Sequence, residues 1–284
     1  MIKNFIYKKP GSLNEAIALL RRKNAYPLAG GTDLLADLRN GVKTAEYVVD
    51  IKGLPELDVL SFSSETGTRI GASITLNTII ESRVMREALP ILSDAAFSIA
   101  THQIRNRATL IGNICNASPA ADMAPALYVL GAHVSINGPQ ESRELLISDF
   151  IEGVKRTALK EGEMVVGVKI PTIAKAKMAF LKQQRIKGHD LALVNAAGIA
   201  EARTRSLRIC IGACSPTPVL LQGTDKLYRE TENAEKLSER VADLAVSSIA
   251  PVDDVRASAE YRRDIVWVLV KRIVRRVCNN QDLE

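Results

Sequence analysis

Cysteine, histidine and the aromatic residues are all scarce in this sequence. Four cysteines in 284 residues, Cys115, Cys210, Cys214 and Cys278, cannot build a disulfide framework, which fits a reducing, cytoplasmic compartment. Cys210 and Cys214 have no second pair to complete a zinc or iron–sulfur site, so they read as thiols of a buried strand. His102, His133 and His189 are scattered, and no metal site is expected. No apolar run approaches the ~18 residues of a membrane span. The start, residues 1–10, holds lysines without an apolar stretch, so no signal peptide is expected. The balance of 38 Lys+Arg against 32 Asp+Glu, net +6, is too modest for a nucleic-acid-binding chain. A nucleophile elbow, a Gly-Lys-Thr phosphate loop and a Rossmann glycine triplet are also missing.

What is present is ordinary globular material, 46% hydrophobic and 25% charged, long enough for one large domain or two smaller ones. Ser12 and Glu15 form a capping box before a helix to about Arg22. A strand over Tyr26–Ala29, a helix over Asp33–Arg39 and a strand over Tyr47–Ile51 follow, then a strand at Arg69–Ala72 and a helix capped by Thr75. A helical tract over Ser82–Ala100 is interrupted at Pro90. After a helix near Met123–Leu130 the pattern turns to strands: Ala132–Ile136, Met164–Ile170, Met178–Gln184, Leu191–Ala200 and Leu207–Cys214, suited to antiparallel pairing. From about Glu230 the chain is helical, broken at Ala250-Pro251. Val266, Leu269, Val270, Ile273, Val274 and Val277 give the last helix an apolar stripe, with Arg262, Arg263, Lys271, Arg272, Arg275 and Arg276 as a basic, solvated face. A domain boundary is placed near Pro171–Ala174, dividing the chain into residues 1–173 and 174–284.

Two stretches have the composition of a ligand site. In "LAGGTDL", Leu28-Ala29-Gly30-Gly31-Thr32-Asp33-Leu34, a strand runs into a glycine pair, a hydroxyl and a helix start. Free backbone N–H groups at such a helix N-terminus favour an anion, and the glycines remove the Cβ atoms that would hold it away. The same residues equally describe a tight turn capped by Thr32 or Asp33. The second stretch, His102–Asp122, reads as a long polar loop with Gly112-Asn113, an Asn-Ala-Ser-Pro turn and Asp122 before a helix. Its donors suit a phosphate and the Asp122 carboxylate a ribose hydroxyl, or else Asp122 caps the helix beside Pro119.

"AGGTDL" at 29–34, "QIRNRATLIGNICNASPAAD" at 103–122 and "DDVRASAEYRRDIVWVLVKR" at 253–272 together resemble the FAD-binding medium subunit of molybdenum hydroxylases, the flavoprotein subunit of the xanthine dehydrogenase and carbon monoxide dehydrogenase family. The resemblance implies an α+β chain: a two-part α/β FAD-binding domain of the vanillyl-alcohol oxidase type, then an α+β C-terminal domain of antiparallel sheet and helices. It implies that Leu28, Ala29, Gly30, Gly31, Thr32, Asp33 and Leu34, with Thr109, Leu110, Ile111, Gly112 and Asn113, wrap the FAD diphosphate. Ser118 would add a hydroxyl there, and Asp122 would hold the adenosine ribose. Ile99 and Val165 would line the flavin or adenine pocket, and Lys182 would approach the cofactor from the C-terminal domain.

The first motif has no histidine, so FAD is expected to be non-covalent. Substrate hydroxylation would fall to a molybdenum cofactor in a large partner subunit, with [2Fe-2S] clusters in a small one. This chain would carry no acid–base residue of its own, because the flavin performs the redox step and the protein positions it; NAD is a possible acceptor. Ile111 stands where related sequences usually have glycine, and Thr101-His102 also stands where glycine is common. A β-branched residue at 111 would be strained if that position needs positive φ. That departure keeps open a non-enzymatic nucleotide-binding or assembly module with a degraded site, beside a third reading as a standalone flavin oxidoreductase.

Overall fold

Strand and helix alternate from the start: β1 (Ile6–Lys8), α1 (Leu13–Leu20), β2 (Ala25–Leu28), α2 (Leu34–Arg39) and β3 (Tyr47–Asp50). In this computed structural model residues 3–186 and 189–279 are described; the predicted domain ends at 1 and 284 lie outside them. Ser12 Oγ accepts from the Glu15 amide, while the Glu15 carboxylate turns back to the amide of Gly11. The predicted capping box thus closes one residue early. β1, β3 and β2 form a three-stranded parallel sheet with β3 in the middle. Parallel neighbours need helical crossovers, which α1 and α2 supply.

A second unit follows: β4 (Leu60–Ser63), β5 (Gly67–Gly71), α3 (Leu76–Glu81), α4 (Arg83–Ala88), α5 (Pro90–Phe97), α6 (His102–Arg105), α7 (Leu110–Cys115) and α8 (Met123–Val129), then β6 (His133–Asn137), β7 (Ser142–Leu146), α9 (Ile147–Phe150), β8 (Ile151–Gly153), β9 (Arg156–Thr157) and β10 (Met164–Ile170). Its antiparallel sheet runs β4-β5-β10-β6-β7. The predicted break at Pro90 is real, with the proline opening α5 where it lacks only an amide that no helix position would use. The 102–122 stretch is a correction. It is not one loop but contains α6 and α7, because the hydroxyls of Thr101 and Thr109 accept from the amides of Ile104 and Gly112 and cap both helices.

The last unit holds β11 (Lys177–Gln183), β12 (Val194–Glu201), β13 (Ser206–Gly212) and β14 (Val219–Leu220), with α10 (Thr224–Glu230), α11 (Ala234–Ser248) and α12 (Ala259–Cys278). The sheet is antiparallel in chain order. Its two faces meet different cores. Val194, Ala196 and Ala200 pack with α11 and α12, whereas Ala197, Ile199 and Cys210 join the core of the first two units. A sheet covered on both faces needs small side chains, and a Cβ on Gly198 would lie 2.3 Å from Ile273 Cγ2. The predicted apolar stripe of α12 is buried as expected. Its basic face is not simply solvated. Lys271 and Arg275 pair with Glu235 of α11. Arg262 is only 2% exposed and donates to the carbonyls of Leu193 and Ala213 and to Asp254.

Candidate functional site

The two glycine-bearing stretches, some eighty positions apart in the chain, are packed against each other. A Cβ on Gly30 would fall 2.1 Å from the Arg107 carbonyl oxygen and 3.0 Å from Ala108 Cα, so only glycine permits this approach of backbone to backbone. Gly31 has φ +74°, the left-handed turn that carries β2 into α2. The amides of Gly30, Gly31, Thr32, Asp33 and Leu34 donate to no other described residue. Five successive donors left free beside a helix start are a run of partial positive charges without protein acceptors, the kind of group an anion can satisfy. Leu28 and Leu34 rest on a small cluster with Leu38 and Val48, while Ala29 packs on the main core.

Side chains stitch the pair together. Asn116 donates to Asp33 Oδ1 at 2.8 Å and accepts from Lys155 Nζ at 2.7 Å. Leu76 N–H donates to Ala108 O at 2.9 Å, joining α3 to the start of the second stretch. Thr109 satisfies the amides of Gly112 and Asn113 through its hydroxyl and carbonyl, and the Ile111 amide donates to no described residue. Ser118 Oγ accepts from the Ala120 amide and keeps its own proton to give. Asn113 Oδ1, not Asp122, accepts from the first amide of α8.

The helix-capping reading of Asp122 therefore fails, and the structure gives the carboxylate another setting. Asp122 is 5% exposed and accepts from Lys182 Nζ at 2.7 Å and from Asn195 Nδ2 at 2.7 Å. Lys182 also donates to Ser98 O at 3.0 Å. Burial pushes the Asp122 carboxyl above its usual range, and the Lys182 charge with the Lys182 and Asn195 hydrogen bonds opposes that rise. The pair ties β11 and β12 of the last unit to the second unit. Ile99 lies half-buried in the same turn as Ser98, between α5 and α6.

Three predicted residues are placed differently from the rest. Val165 is 2% exposed in β10, the strand beside which α7 packs, so its side chain faces the core. Leu110 and Ile111 also bury their side chains, leaving only backbone toward the site. Ile111 is helical and is not among the residues of positive φ, so the strain anticipated for a β-branched residue does not arise. Among the described residues no cluster of His, Cys, Asp or Glu could hold a metal ion, and no helix is long and apolar enough to cross a membrane. Cavities of about 310 and 300 Å³ flank Pro171–Ala176 and include none of the predicted residues.

Sequence reasoning missed Asn195, Lys155, Asn77 and Arg105, and took Asn116 only as part of a turn. Asn195 was signalled: one amide in the apolar run Leu191–Ala200 must find a buried partner. Nothing local marks Arg105, which is 7% exposed in α6.

This scaffold, a parallel α/β unit whose glycine turn meets a second helix-start segment, is that of a nucleotide-cofactor-binding flavoprotein. Residues 3–173 match the family of FAD binding domains in molybdopterin dehydrogenase, and residues 179–277 match the carbon monoxide dehydrogenase flavoprotein C-terminal domain; the chain belongs to this family of FAD-binding medium subunits of molybdenum hydroxylases. It is 30% identical over 274 residues to the xanthine dehydrogenase FAD-binding subunit of Escherichia coli O157:H7, covering 94% of each chain. It is 29% identical over 279 residues to the carbon monoxide dehydrogenase medium chain of Afipia carboxidovorans, covering 96% of each. Among solved structures, carbon monoxide dehydrogenase from Hydrogenophaga pseudoflava superimposes with a TM-score of 0.92 at 28% identity over 98% of both chains.

Proposed function

We propose that this chain binds FAD non-covalently across its two packed segments and passes electrons from [2Fe-2S] clusters of a small partner subunit to NAD or another acceptor. The clusters would be fed by the molybdenum cofactor of a large partner subunit. The observation that carries the reading is the contact of Gly30 with the Arg107 carbonyl, closer than any side chain at position 30 would allow, beside five unpaired amides. Those amides, the Thr32 hydroxyl and the Ser118 hydroxyl would hold the diphosphate. The Asp122 oxygens, each with one hydrogen bond filled, retain lone pairs for ribose hydroxyls. Lys182 would keep positive charge near the cofactor and Ile99 would line its pocket; Val165 could contribute only from beneath.

When bound, FAD supplies the exchange between single electrons from clusters and electron pairs for an acceptor. The chain itself orients and shields. Covalent attachment through Cys115 is disfavoured, since burial pushes that thiol up to about 12. The domain boundary near residue 173 and the vanillyl-alcohol oxidase arrangement of the first two units belong to the same reading. So does a cytoplasmic location, consistent with four free thiols.

The test is to purify the chain alone and with its partners, reconstitute it with FAD, and add NADH anaerobically. Visible flavin absorbance at one FAD per chain, bleached by NADH, is expected. A chain that cannot be reconstituted overturns the FAD site. Flavin that partner clusters reduce but NADH does not overturns NAD as the acceptor.

A further inference from the structure

We propose that Arg105 is a positioning residue that holds the turn between α5 and α6 in the shape the flavin ring requires, separately from the diphosphate cradle. The inference rests on the reading of these segments as an FAD site. Phe97, Ser98, Ile99, Ala100 and Thr101 form this turn, and Ala100 sits in the left-handed region at φ +42°, a conformation an L-residue keeps only when its surroundings impose it. Arg105 imposes it. Its Nη1 donates to the carbonyls of Phe97 at 3.2 Å, Ile99 at 2.8 Å and Ala100 at 2.9 Å. Its guanidinium also lies 5.0 Å from the centre of the Phe97 ring. Nε donates to Asn77 Oδ1 at 3.3 Å, and Asn77 Nδ2 in turn donates to His102 O and Asn106 Oδ1. From the other side, Lys182 grips the carbonyl of Ser98 while paired with Asp122.

One buried cation thus organises three carbonyls of a five-residue turn. Burial lowers the Arg105 pKa, yet a guanidinium remains charged at any working pH. Lysine could not replace it, because a single ammonium lacks the planar fork that reaches the turn carbonyls and Asn77 together. The diphosphate cradle makes none of these bonds: it depends on Gly30, Asp33, Asn116 and Thr109. Arg105 bonds none of those four residues, and Lys182 is what joins the turn to Asp122, so a ligand without the flavin should sense Arg105 far less than FAD does.

The experiment compares affinity for FAD with affinity for ADP, which carries the diphosphate and adenosine but no flavin. It uses the full chain as wild type, Arg105→Lys and Asn77→Ser. Arg105→Lys is expected to lose roughly tenfold in FAD affinity, since a turn no longer preorganised must be ordered on binding. ADP affinity should fall far less than FAD affinity, and the visible circular dichroism of bound flavin should change. Asn77→Ser removes the Arg105 Nε bond together with those to His102 and Asn106 while leaving the Arg105 bonds to the turn; it should show a smaller change in the same ratio and carries the test if Arg105→Lys does not fold. Parallel loss of FAD and ADP binding in the folded variants overturns the proposal, because Arg105 would then support the fold or the cradle. An unchanged FAD-to-ADP ratio overturns it as well. Wild-type chain that binds neither ligand refutes the FAD site itself, a distinct outcome.

Discussion

Gly30→Ala tests the cradle at its tightest point. The new methyl would meet the Arg107 carbonyl oxygen at 2.1 Å and its carbon at 2.7 Å, with Ala108 Cα at 3.0 Å. No flexible side chain is there to swing aside, so one backbone segment must retreat by roughly an ångström. The retreat pulls on Ala108 O, which accepts from Leu76, and on the Asn116–Asp33 bond. Overpacking costs about 1–3 kcal/mol, and contact with backbone puts this site at about 3. For a domain of this size that lowers Tm by roughly 6–12 °C. FAD binding should suffer more: misaligning even one or two amides that face a diphosphate forfeits about 1.5–3 kcal/mol each, on the order of a hundredfold in affinity. Thermal unfolding and flavin titration read the two effects. Gly41→Ala is the control, because Gly41 has φ +72° and nothing within 4 Å of the added Cβ; about 1–2 kcal/mol of backbone strain and unchanged FAD affinity are expected. A Gly30→Ala protein with wild-type Tm and wild-type FAD affinity would refute the packing argument.

Two further outcomes follow from individual residues. Ile111→Gly should not improve FAD binding; it removes a 5%-exposed side chain from the core and places glycine inside a helix, costing about 3–5 kcal/mol by urea unfolding. Asp254 bears on pH. Burial would raise its pKa, but the amides of Arg256 and Ala257, the Arg256 side chain and the Arg262 charge outweigh burial and hold it well below the usual carboxylate range. A depressed folded pKa contributes stability above the unfolded value that is lost as pH falls toward the folded one. Acid unfolding below about pH 4 should therefore show a shallower pH dependence in Asp254→Asn, and equal slopes would contradict the assignment.

Much of the architecture was legible from periodicity and punctuation. The capping residues Ser12 and Thr75, the break at Pro90, the strands from Met164 onward and the apolar stripe of α12 all follow from local rules that act within a few residues. The 102–122 stretch was less legible, because its asparagines, glycine and proline mask two short helices whose signal is a threonine at each start. At the site, the glycine pair and Asp122 stood out by residue type, whereas nothing local marked Arg105.

The sequence by itself determined which segments could present unpaired amides and where the helices capped by Ser12 and Thr75 begin. Those are properties of residue type and near-neighbour spacing. The tertiary structure alone decided that Gly30 touches Arg107, that Asp122 pairs with Lys182 and Asn195 rather than capping its helix, and that Ile111 needs no special backbone angle. The reason is physical. Close approach, burial and the partner of a charge depend on residues tens of positions apart in sequence, and only the packing of three units around shared cores sets those distances.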